Sequence, residues 1–150
     1  MLESPTASGK TLAFLIPIID KILNNPNSRA LLIYPMKAVA NDQRRQLNDI
    51  TKDFKSVESW TFDGDTPQEH RSLLKSNPPN ILLTNPEMLH FSFLGWADHW
   101  INFLKNLDFI VVDEIHEYRG FFGTNFALLL RRFLLKLSKM GCNPQPGRLG

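Results

Sequence analysis

The fold is decided by one stretch near the start of the chain, Ser4-Pro5-Thr6-Ala7-Ser8-Gly9-Lys10-Thr11. It follows the phosphate-loop pattern G-x-x-x-x-G-K-[ST] except at its first position, where Ser4 replaces Gly. Its small residues let the backbone curl so that successive N–H groups point at phosphate oxygens. Lys10 supplies a charge for the outer phosphates, and the Thr11 hydroxyl suits Mg²⁺. Taken alone, the stretch is equally compatible with a polar turn that caps a helix.

Length and composition indicate one globular domain. The chain has 150 residues, 43% of them hydrophobic and 21% charged, which excludes an intrinsically disordered protein. The net charge of +2 is too small by itself to indicate a nucleic-acid or membrane surface. A single cysteine, Cys142, excludes an internal disulfide and a multi-cysteine metal site, and fits a reducing compartment. We expect no signal peptide, and no stretch approaches the roughly 20 apolar residues of a membrane span.

Short apolar runs alternate with helical patterns along the chain. The runs predict buried strands at residues 30–34, 59–62, 81–84 and 109–112. Helices are predicted at residues 9–23, 37–54, 66–76, 87–91 and 94–104, and a last, long helix is predicted to follow Gly120 and Gly123 and to run to about Met140. This alternation is typical of βαβ units, so we predict an α/β fold with a parallel, doubly wound sheet. Ligands of such sheets bind outside the carboxyl ends of the strands, where each candidate motif lies.

Several local features of the helices are predicted as well. Pro17 lies inside the first helix and costs it a hydrogen bond. The segment Thr66-Pro67-Gln68-Glu69 has the pattern of a capping box, with Thr66 as N-cap. The helix at 37–54 is expected to bury Val39, Leu47, Ile50 and Phe54 and to leave Asp42, Arg44, Arg45 and Asp49 mostly outside. The last helix is apolar on more than one face and expects cover on two sides.

The second chemical motif is Asp113-Glu114-Ile115-His116, which directly follows the apolar run 109–112. A carboxylate at that point can reach Mg²⁺ beside phosphates held by the loop. A second carboxylate next to it can orient or deprotonate an attacking water. His116 is placed to sense the state of this site. The alternative is an ordinary strand end that meets solvent, and the phosphate-loop pattern upstream favours the functional interpretation.

These residues resemble the first RecA-like domain of superfamily 2 helicases of the DEAD/DEAH-box type, a three-layer αβα fold with a mostly parallel sheet. Residues 4–11 resemble motif I, and residues 113–116 resemble motif II. Further elements agree in order: Tyr34-Pro35-Met36-Lys37-Ala38-Val39-Ala40-Asn41-Asp42-Gln43 resembles motif Ia, Phe62-Asp63-Gly64-Asp65-Thr66 with Arg71 resembles the "YDGDT…R" element, and Thr84-Asn85-Pro86-Glu87-Met88-Leu89 resembles motif Ib. The resemblance covers residues 3 to about 145.

The segment after motif II narrows the resemblance. Glu117-Tyr118-Arg119-Gly120-Phe121-Phe122-Gly123-Thr124, leading to Arg131-Arg132, is similar to the MrfA/YprA-like and Hrq-like helicases, which are related to RecQ. That group consists of 3′-to-5′ DNA helicases linked to DNA repair. The resemblance therefore implies an ATP-dependent DNA helicase of the bacterial cytoplasm and nucleoid, or of the nucleus in a eukaryote.

The resemblance also implies roles for individual residues. Ser4 to Thr11 would hold ATP, with Lys10 on the phosphates, and Thr11 and Asp113 would bind Mg²⁺. Glu114 would be the general base, and His116 would couple the ATP state to the grip on the strand. The strand path would be lined by Pro35, Met36, Lys37, Gly64, Thr84, Asn85 and Pro86. Its partner would be single-stranded or partly duplex DNA, with RNA as an alternative. Turn chemistry is a second interpretation of Asp63-Gly64-Asp65 and Asn85-Pro86, compatible with the first.

The chain departs from the family pattern at both ends. No first strand or adenine-reading segment precedes motif I, and Pro146-Gly147-Arg148-Leu149-Gly150 stands where the family has a strand and a Ser-Ala-Thr motif. The second RecA-like domain, with its arginine fingers, is also absent. We therefore expect residues 1–150 to be a partial ATP-binding domain of marginal stability. Alone, it would bind nucleotide weakly and hydrolyse little.

Other interpretations remain open from the sequence alone. A small-molecule kinase is disfavoured because it would want a lid with arginines and no D-E-x-H after a strand. The others are a non-enzymatic nucleic-acid-binding fragment with a vestigial ATP site and a translocase on duplex DNA. Trp60, Trp96 and Trp100 are predicted to be core residues, with base stacking as the alternative. His70, His90 and His99 are predicted to be surface or satisfied residues without a metal.

Overall fold

The computed structural model describes residues 8–112, 120–142 and 145–148. The α-helices in these ranges are α1 (Ser8–Asn24), α2 (Lys37–Thr51), α3 (Gln68–Ser76), α4 (Pro86–Met88), α5 (Ile101–Leu104) and α6 (Gly120–Lys139). The strands are β1 (Arg29–Ile33), β2 (Ser59–Thr61), β3 (Ile81–Thr84), β4 (Leu107–Val112) and β5 (Gln145–Arg148). A π-helical segment (Leu89–Leu94) and a 3₁₀ turn (Ala97–Trp100) lie between α4 and α5. Among the described residues, none of the helices could span a lipid bilayer.

The described strands form one parallel sheet in the order β2-β3-β1-β4-β5. β1 lies at its centre, with Ile33 opposite Thr84 of β3 and Val112 of β4. Every predicted strand is present, and the predicted parallel α/β sheet is confirmed. Because all strands point the same way, the turns after β1, β2 and β3 emerge at one edge of the sheet.

Alternating side chains of the strands divide the core into two layers, as period-2 geometry requires. On one face, Leu15, Ile18 and Ile22 of α1 pack with Leu32 of β1 and Leu83 of β3. The opposite face has the larger cluster. Its buried members include Leu31, Ile33, Leu82, Phe93, Trp100, Phe103, Ile110, Phe126, Phe133 and Leu137. Helices therefore cover both faces, which explains why the central strands are apolar throughout.

The last strand corrects an expectation from the sequence. Residues 146–150 carry no strand pattern, yet β5 pairs in parallel with β4, with Pro146 opposite Ile110. Proline and glycine disfavour a central strand because proline has no N–H to donate. β5 lies at the end of the strand order, where that missing donor costs little.

The prediction for Phe54 at the end of α2 was wrong, whereas the polar residues predicted to lie mostly outside do so, with Arg44 the least exposed of them. Phe54 lies beyond the end of α2 and is exposed, because the helix stops at Thr51, whose hydroxyl donates to the Leu47 carbonyl. Arg44 is partly buried because its Nε–H donates to the Ser59 carbonyl at 3.1 Å and its guanidinium lies over the Trp60 ring. The helix instead buries Ala40 and Gln43 beside Leu47.

The segment between β3 and β4 also differs from its prediction. Trp96 and Trp100 do not share a helix, because the π-helical segment ends at Leu94 and the 3₁₀ turn begins at Ala97. Trp100 is fully buried and packs edge-on against Phe62, as predicted for a core residue. Trp96 is 61% exposed and stacks on His99, so its assignment to the core was wrong. The same holds for Trp60, which is 39% exposed on the outermost strand β2.

Candidate nucleic-acid interface

The turns after β1, β2 and β3 are tied to one another by the sheet itself. The N–H of Tyr34 donates to the Thr84 carbonyl at 2.9 Å, and the N–H of Phe62 donates to the Leu83 carbonyl at 2.8 Å. The Thr84 hydroxyl donates to the Phe62 carbonyl at 2.8 Å. Thr84 is only 1% exposed, so its side chain does not reach the surface. Its hydrogen bonds position the neighbouring turns, which are exposed. The motifs resembling Ia, Ib and the "YDGDT" element are therefore neighbours in space.

Asn85 combines turn chemistry with a position on the surface cavity described below. Its side-chain oxygen accepts the N–H of Met88 at 2.9 Å and so caps α4, with Pro86 in the first turn. No described residue accepts a hydrogen bond from the Asn85 amide NH₂. The predicted turn role is confirmed, and the NH₂ group remains available as a donor.

The loop Asp63-Gly64-Asp65-Thr66 is held by its own side chains. The Asp63 carboxylate accepts the N–H of Asp65 at 2.7 Å, and the Thr66 hydroxyl accepts the N–H of Asp63 at 3.0 Å. Thr66 therefore closes the loop, and it does not cap α3, which begins at Gln68 with no side-chain cap. The predicted capping box was wrong because the Thr66 hydroxyl accepts its hydrogen bond from the N–H of Asp63, within the loop, and not from the first turn of α3.

Arg71 of α3 holds the same loop through its backbone carbonyls. Its Nε–H donates to the Thr66 carbonyl at 2.8 Å, and its Nη2 donates to the carbonyls of Asp63 and Gly64 at 3.2 and 3.1 Å. The guanidinium also lies over the Phe62 ring. The arginine of the "YDGDT…R" element thus binds backbone carbonyls, a use of its fork of donors that lysine cannot reproduce. Gly64 itself is exposed at the crest of the loop.

Lys37 and Asp65 join two of these turns. The Lys37 ammonium lies 3.0 Å from a carboxylate oxygen of Asp65. The hydrogen bond and charge of Asp65 raise the pKa of Lys37 above its ordinary value. Both groups are solvent-exposed, so the pair contributes little to folding stability. The cation stays charged at neutral pH and lies at the rim of the interface.

A cavity of about 850 Å³ opens beside these turns, and we call it the strand-end cavity. It is lined by Pro35, Met36, Lys37, Asn85, Pro86, Glu87, His90, Asn125, Phe126, Leu128, Leu129 and Arg132. The predicted strand-path residues Pro35, Met36, Lys37, Asn85 and Pro86 all lie in this wall. Thr84 is buried beneath it, and Gly64 lies on the neighbouring loop.

The strand-end cavity also contains residues that the sequence analysis missed. His90 comes from the π-helical segment, and Asn125, Leu128 and Arg132 come from α6. Leu128 and Arg132 are four residues apart, which places them on one face of a helix. That spacing was visible in the sequence. The surface that faces these residues lies more than thirty residues earlier in the chain, and the sequence did not show that the two meet.

The predicted ATP site lies mostly outside the described residues. Ser4 to Ala7 and Asp113 to His116 are not among them. The described part shows that α1 begins at Ser8, so that Ser8, Gly9, Lys10 and Thr11 form its first turn. β4 ends at Val112, directly before Asp113. Both observations fit a phosphate loop that runs into a helix and an acidic motif that follows a strand.

His70, His90 and His99 are exposed, as predicted for surface residues. His70 meets the edge of the Trp60 ring, and His99 stacks on Trp96. Within the described residues, no group of histidine, cysteine or carboxylate side chains could hold a metal ion.

Comparison with known proteins gives a consistent result. The family model of the DEAD/DEAH box helicase matches residues 1–144. The ATP-dependent helicase YprA of Bacillus subtilis is 41% identical over 130 residues, which cover 86% of this chain and 17% of YprA. The ATP-dependent helicase hrq1 of Schizosaccharomyces pombe is 43% identical over 136 residues, covering 88% of this chain and 13% of hrq1.

A solved structure agrees with these relatives. The structure of the DUF1998 helicase MrfA bound to DNA superposes with a TM-score of 0.91 at 37% identity, covering 97% of this chain and 20% of MrfA. The predicted resemblance to helicases of this kind is thereby confirmed. The chain spans less than a quarter of the length of each of these relatives.

Proposed function

We propose a function for this chain from the premise that it belongs to the DEAD/DEAH box helicase family. It forms the ATP-binding part of an ATP-dependent DNA helicase, in which ATP hydrolysis drives movement along one DNA strand. The observation that carries the proposal is the convergence of the turns after β1, β2 and β3 at one sheet edge, where β4 also ends. A strand and a nucleotide held along the same edge can be coupled through the sheet.

ATP and Mg²⁺ fit the residues available. The first turn of α1 offers backbone N–H groups, and the helix dipole favours negative charge there. The hydroxyl of Thr11 and the carboxylate of Asp113 are oxygen ligands of the kind that Mg²⁺ prefers. Lys10 would neutralise the outer phosphates, and Glu114 would orient the attacking water. ATP bound with Mg²⁺ supplies the phosphoryl group whose hydrolysis releases the free energy.

The DNA strand would be held mainly through its sugar-phosphate backbone. The interface offers the Asn85 amide NH₂, the Lys37 ammonium and the exposed Gly64 loop. Such donors position a strand without selecting its sequence. The similarity to the helicase MrfA, which was solved bound to DNA, supports DNA as the partner. A second RecA-like domain would complete the ATP site, as the family resemblance implies.

The proposal is tested by ATP hydrolysis in the purified protein with and without a single-stranded oligonucleotide. Residues 1–150 alone should hydrolyse little ATP. In a protein that also carries the second RecA-like domain, we expect hydrolysis that depends on Mg²⁺ and rises when the strand is added. Lys10→Ala and Glu114→Gln should both abolish it, because one removes a phosphate contact and the other the water-orienting carboxylate. Glu114→Gln should retain nucleotide binding, measured with a fluorescent ATP analogue.

Three outcomes would contradict the proposal in different ways. If Lys10→Ala leaves the affinity for nucleotide unchanged, the result favours a nucleic-acid-binding chain with a vestigial ATP site. Stimulation by duplex DNA without strand separation favours a duplex translocase. Stimulation by an RNA oligonucleotide and none by the DNA oligonucleotide of the same sequence would reassign the substrate.

A further inference from the structure

The two sides of the strand-end cavity differ in origin. One side consists of the turn after β1 and the segment after β3, where the family motifs lie. The other side is α6, with Asn125, Leu128, Leu129 and Arg132. No family motif quoted above assigns a role to these α6 residues. The cavity volume of about 850 Å³ lies within the roughly 300–1,000 Å³ of ligand pockets.

The cations of the strand-end cavity are not equivalent. Lys37 is paired with Asp65 at 3.0 Å. Arg132 is exposed and makes no ion pair or hydrogen bond with any residue that the structure describes. Guanidinium groups match phosphate geometry with two parallel N–H donors. Glu87 adds one carboxylate to the same lining, so the local field is only mildly positive.

The strand-end cavity also exposes large apolar side chains. Met36 is 57% exposed and comes from the turn after β1, while Leu128 is 55% exposed and comes from α6. Exposed apolar side chains that face a shared cavity favour a partner with an apolar face. A nucleobase has such a face, and because every base has one, contact with it does not select the sequence.

We propose that the strand-end cavity seats one nucleotide of the bound single strand, with its phosphate on Arg132 and its base between Met36 and Leu128. This assignment rests on the proposed function and extends the strand path from the strand ends onto α6. A nucleotide is the occupant that uses both features, a guanidinium without a partner among the described residues and the exposed apolar side chains beside it. Asn85 can donate from its NH₂ group to the same nucleotide.

The phosphate contact is tested by fluorescence polarisation of a labelled oligo-dT with the purified protein over a range of salt concentrations. Arg132→Gln should weaken binding about fivefold and lower the slope of log K against log salt by about 0.7, the loss of one phosphate contact on a single strand. Arg131→Gln is the matched control, because Arg131 is exposed on the same helix but does not line the cavity. It should leave the slope unchanged.

The base contact is tested with an abasic oligonucleotide of the same length. Leu128→Ser should weaken binding of oligo-dT about threefold and leave binding of the abasic strand unchanged. Leu135→Ser is the matched control, because Leu135 is also 55% exposed on α6 but lies outside the cavity. Both substitutions are on the surface, so the fold should tolerate them.

The outcomes separate this assignment from the proposed function. If the unsubstituted protein does not bind oligo-dT, both are overturned. If it binds, and Arg132→Gln behaves as Arg131→Gln and Leu128→Ser as Leu135→Ser, the assignment is overturned and the proposed function stands. If Leu128→Ser lowers the melting temperature of the DNA-free protein much more than Leu135→Ser, with DNA binding intact, a protein segment covers the cavity and the assignment is also overturned.

Discussion

The ammonium nitrogen of Lys37 lies 3.0 Å from a carboxylate oxygen of Asp65, so an ion pair joins the start of α2, where the turn after β1 ends, to the turn after β2. These turns carry the motifs resembling Ia and the "YDGDT" element. The pair therefore sets a competition, because a DNA phosphate that binds Lys37 must share it with Asp65 or displace that carboxylate.

Replacing Asp65 by Asn should tighten DNA binding. The substitution removes a negative charge from the rim of the interface and frees Lys37, so affinity for oligo-dT should rise about twofold to fivefold at low salt and less at high salt. Folding stability should change by less than about 1 kcal/mol, because the pair is exposed. Polarisation titrations and urea unfolding measure the two effects.

Asp42→Asn provides the matched control for that prediction. Asp42 forms a comparable exposed ion pair with Arg45 at 2.9 Å, but Arg45 does not line the strand-end cavity, whereas Lys37 does. Equal tightening by both substitutions would mean that only net charge changed, and would contradict a local role of Asp65.

Replacing Arg71 by Gln should loosen the Asp63–Thr66 loop. The guanidinium donates to the carbonyls of Asp63, Gly64 and Thr66, and its loss leaves them to solvent or unpaired. We expect a loss of about 2 kcal/mol of unfolding free energy and weaker binding of oligo-dT. Urea unfolding and polarisation measure both, with Glu69→Gln as the control on the exposed part of α3. Unchanged stability would contradict the clamp.

Replacing Gly95 by Ala should destabilise the protein. A Cβ at this position would lie 2.9 Å from the Phe91 carbonyl oxygen, within the π-helical segment that carries His90 to the cavity. Relief of this contact requires a backbone shift, which costs about 1–3 kcal/mol. Thermal unfolding measures the loss, and a melting temperature equal to that of the unsubstituted protein would show that the segment adapts freely.

Replacing Gly64 by Ala makes the contrasting case. The nearest atom to a Cβ there is Lys37 Nζ at 3.8 Å, an ordinary contact. The fold should therefore keep its stability within about 0.5 kcal/mol. If the loop carries the DNA strand, the added methyl group should weaken oligo-dT binding severalfold. Unchanged binding would remove Gly64 from the strand path.

The thiol of Cys142 should make the free energy of unfolding fall as the pH rises into the alkaline range. Burial raises the pKa of Cys142 above the ordinary value of 9.0, so the folded state holds its proton more tightly than the unfolded chain. This contribution is complete below pH 9 and falls as the pH rises towards the folded-state pKa. We expect a smaller loss of stability between pH 7.5 and 9.5 in Cys142→Ala than in the unsubstituted protein, measured by urea unfolding. An equal loss in both would contradict this role.

The parallel sheet was predictable because its strands are buried on both faces. Residues 30–33, 81–83 and 109–112 are apolar without alternation, a pattern typical of short strands that are covered on both faces. The motif resemblance also predicted a strand path at the strand ends, and the role of its residues in DNA binding stays a prediction. β5 was not, because pairing with β4 overrides the unfavourable propensities of Pro146 and Gly147.

Side-chain partners were the least predictable feature. Thr66 has the sequence context of an N-cap, but its hydroxyl accepts from Asp63. Trp60 is a residue type that usually lies in the core. It is partly exposed here because β2 is the outermost strand and no further strand covers that side. In both cases the local pattern was satisfied by more than one arrangement, and packing selected among them.

The sequence by itself determined the class of fold and the likeness to helicases, because residues 4–11 and the turns after the strands carry a pattern that depends on neighbours along the chain. Only the tertiary structure brought Leu128 and Arg132 of α6 opposite Met36 and Lys37. These pairs are about ninety-five residues apart in the chain, and no local preference encodes their distance. The packing of α6 across the sheet decides it, because a helix with several apolar faces can be placed only by the surfaces that bury them.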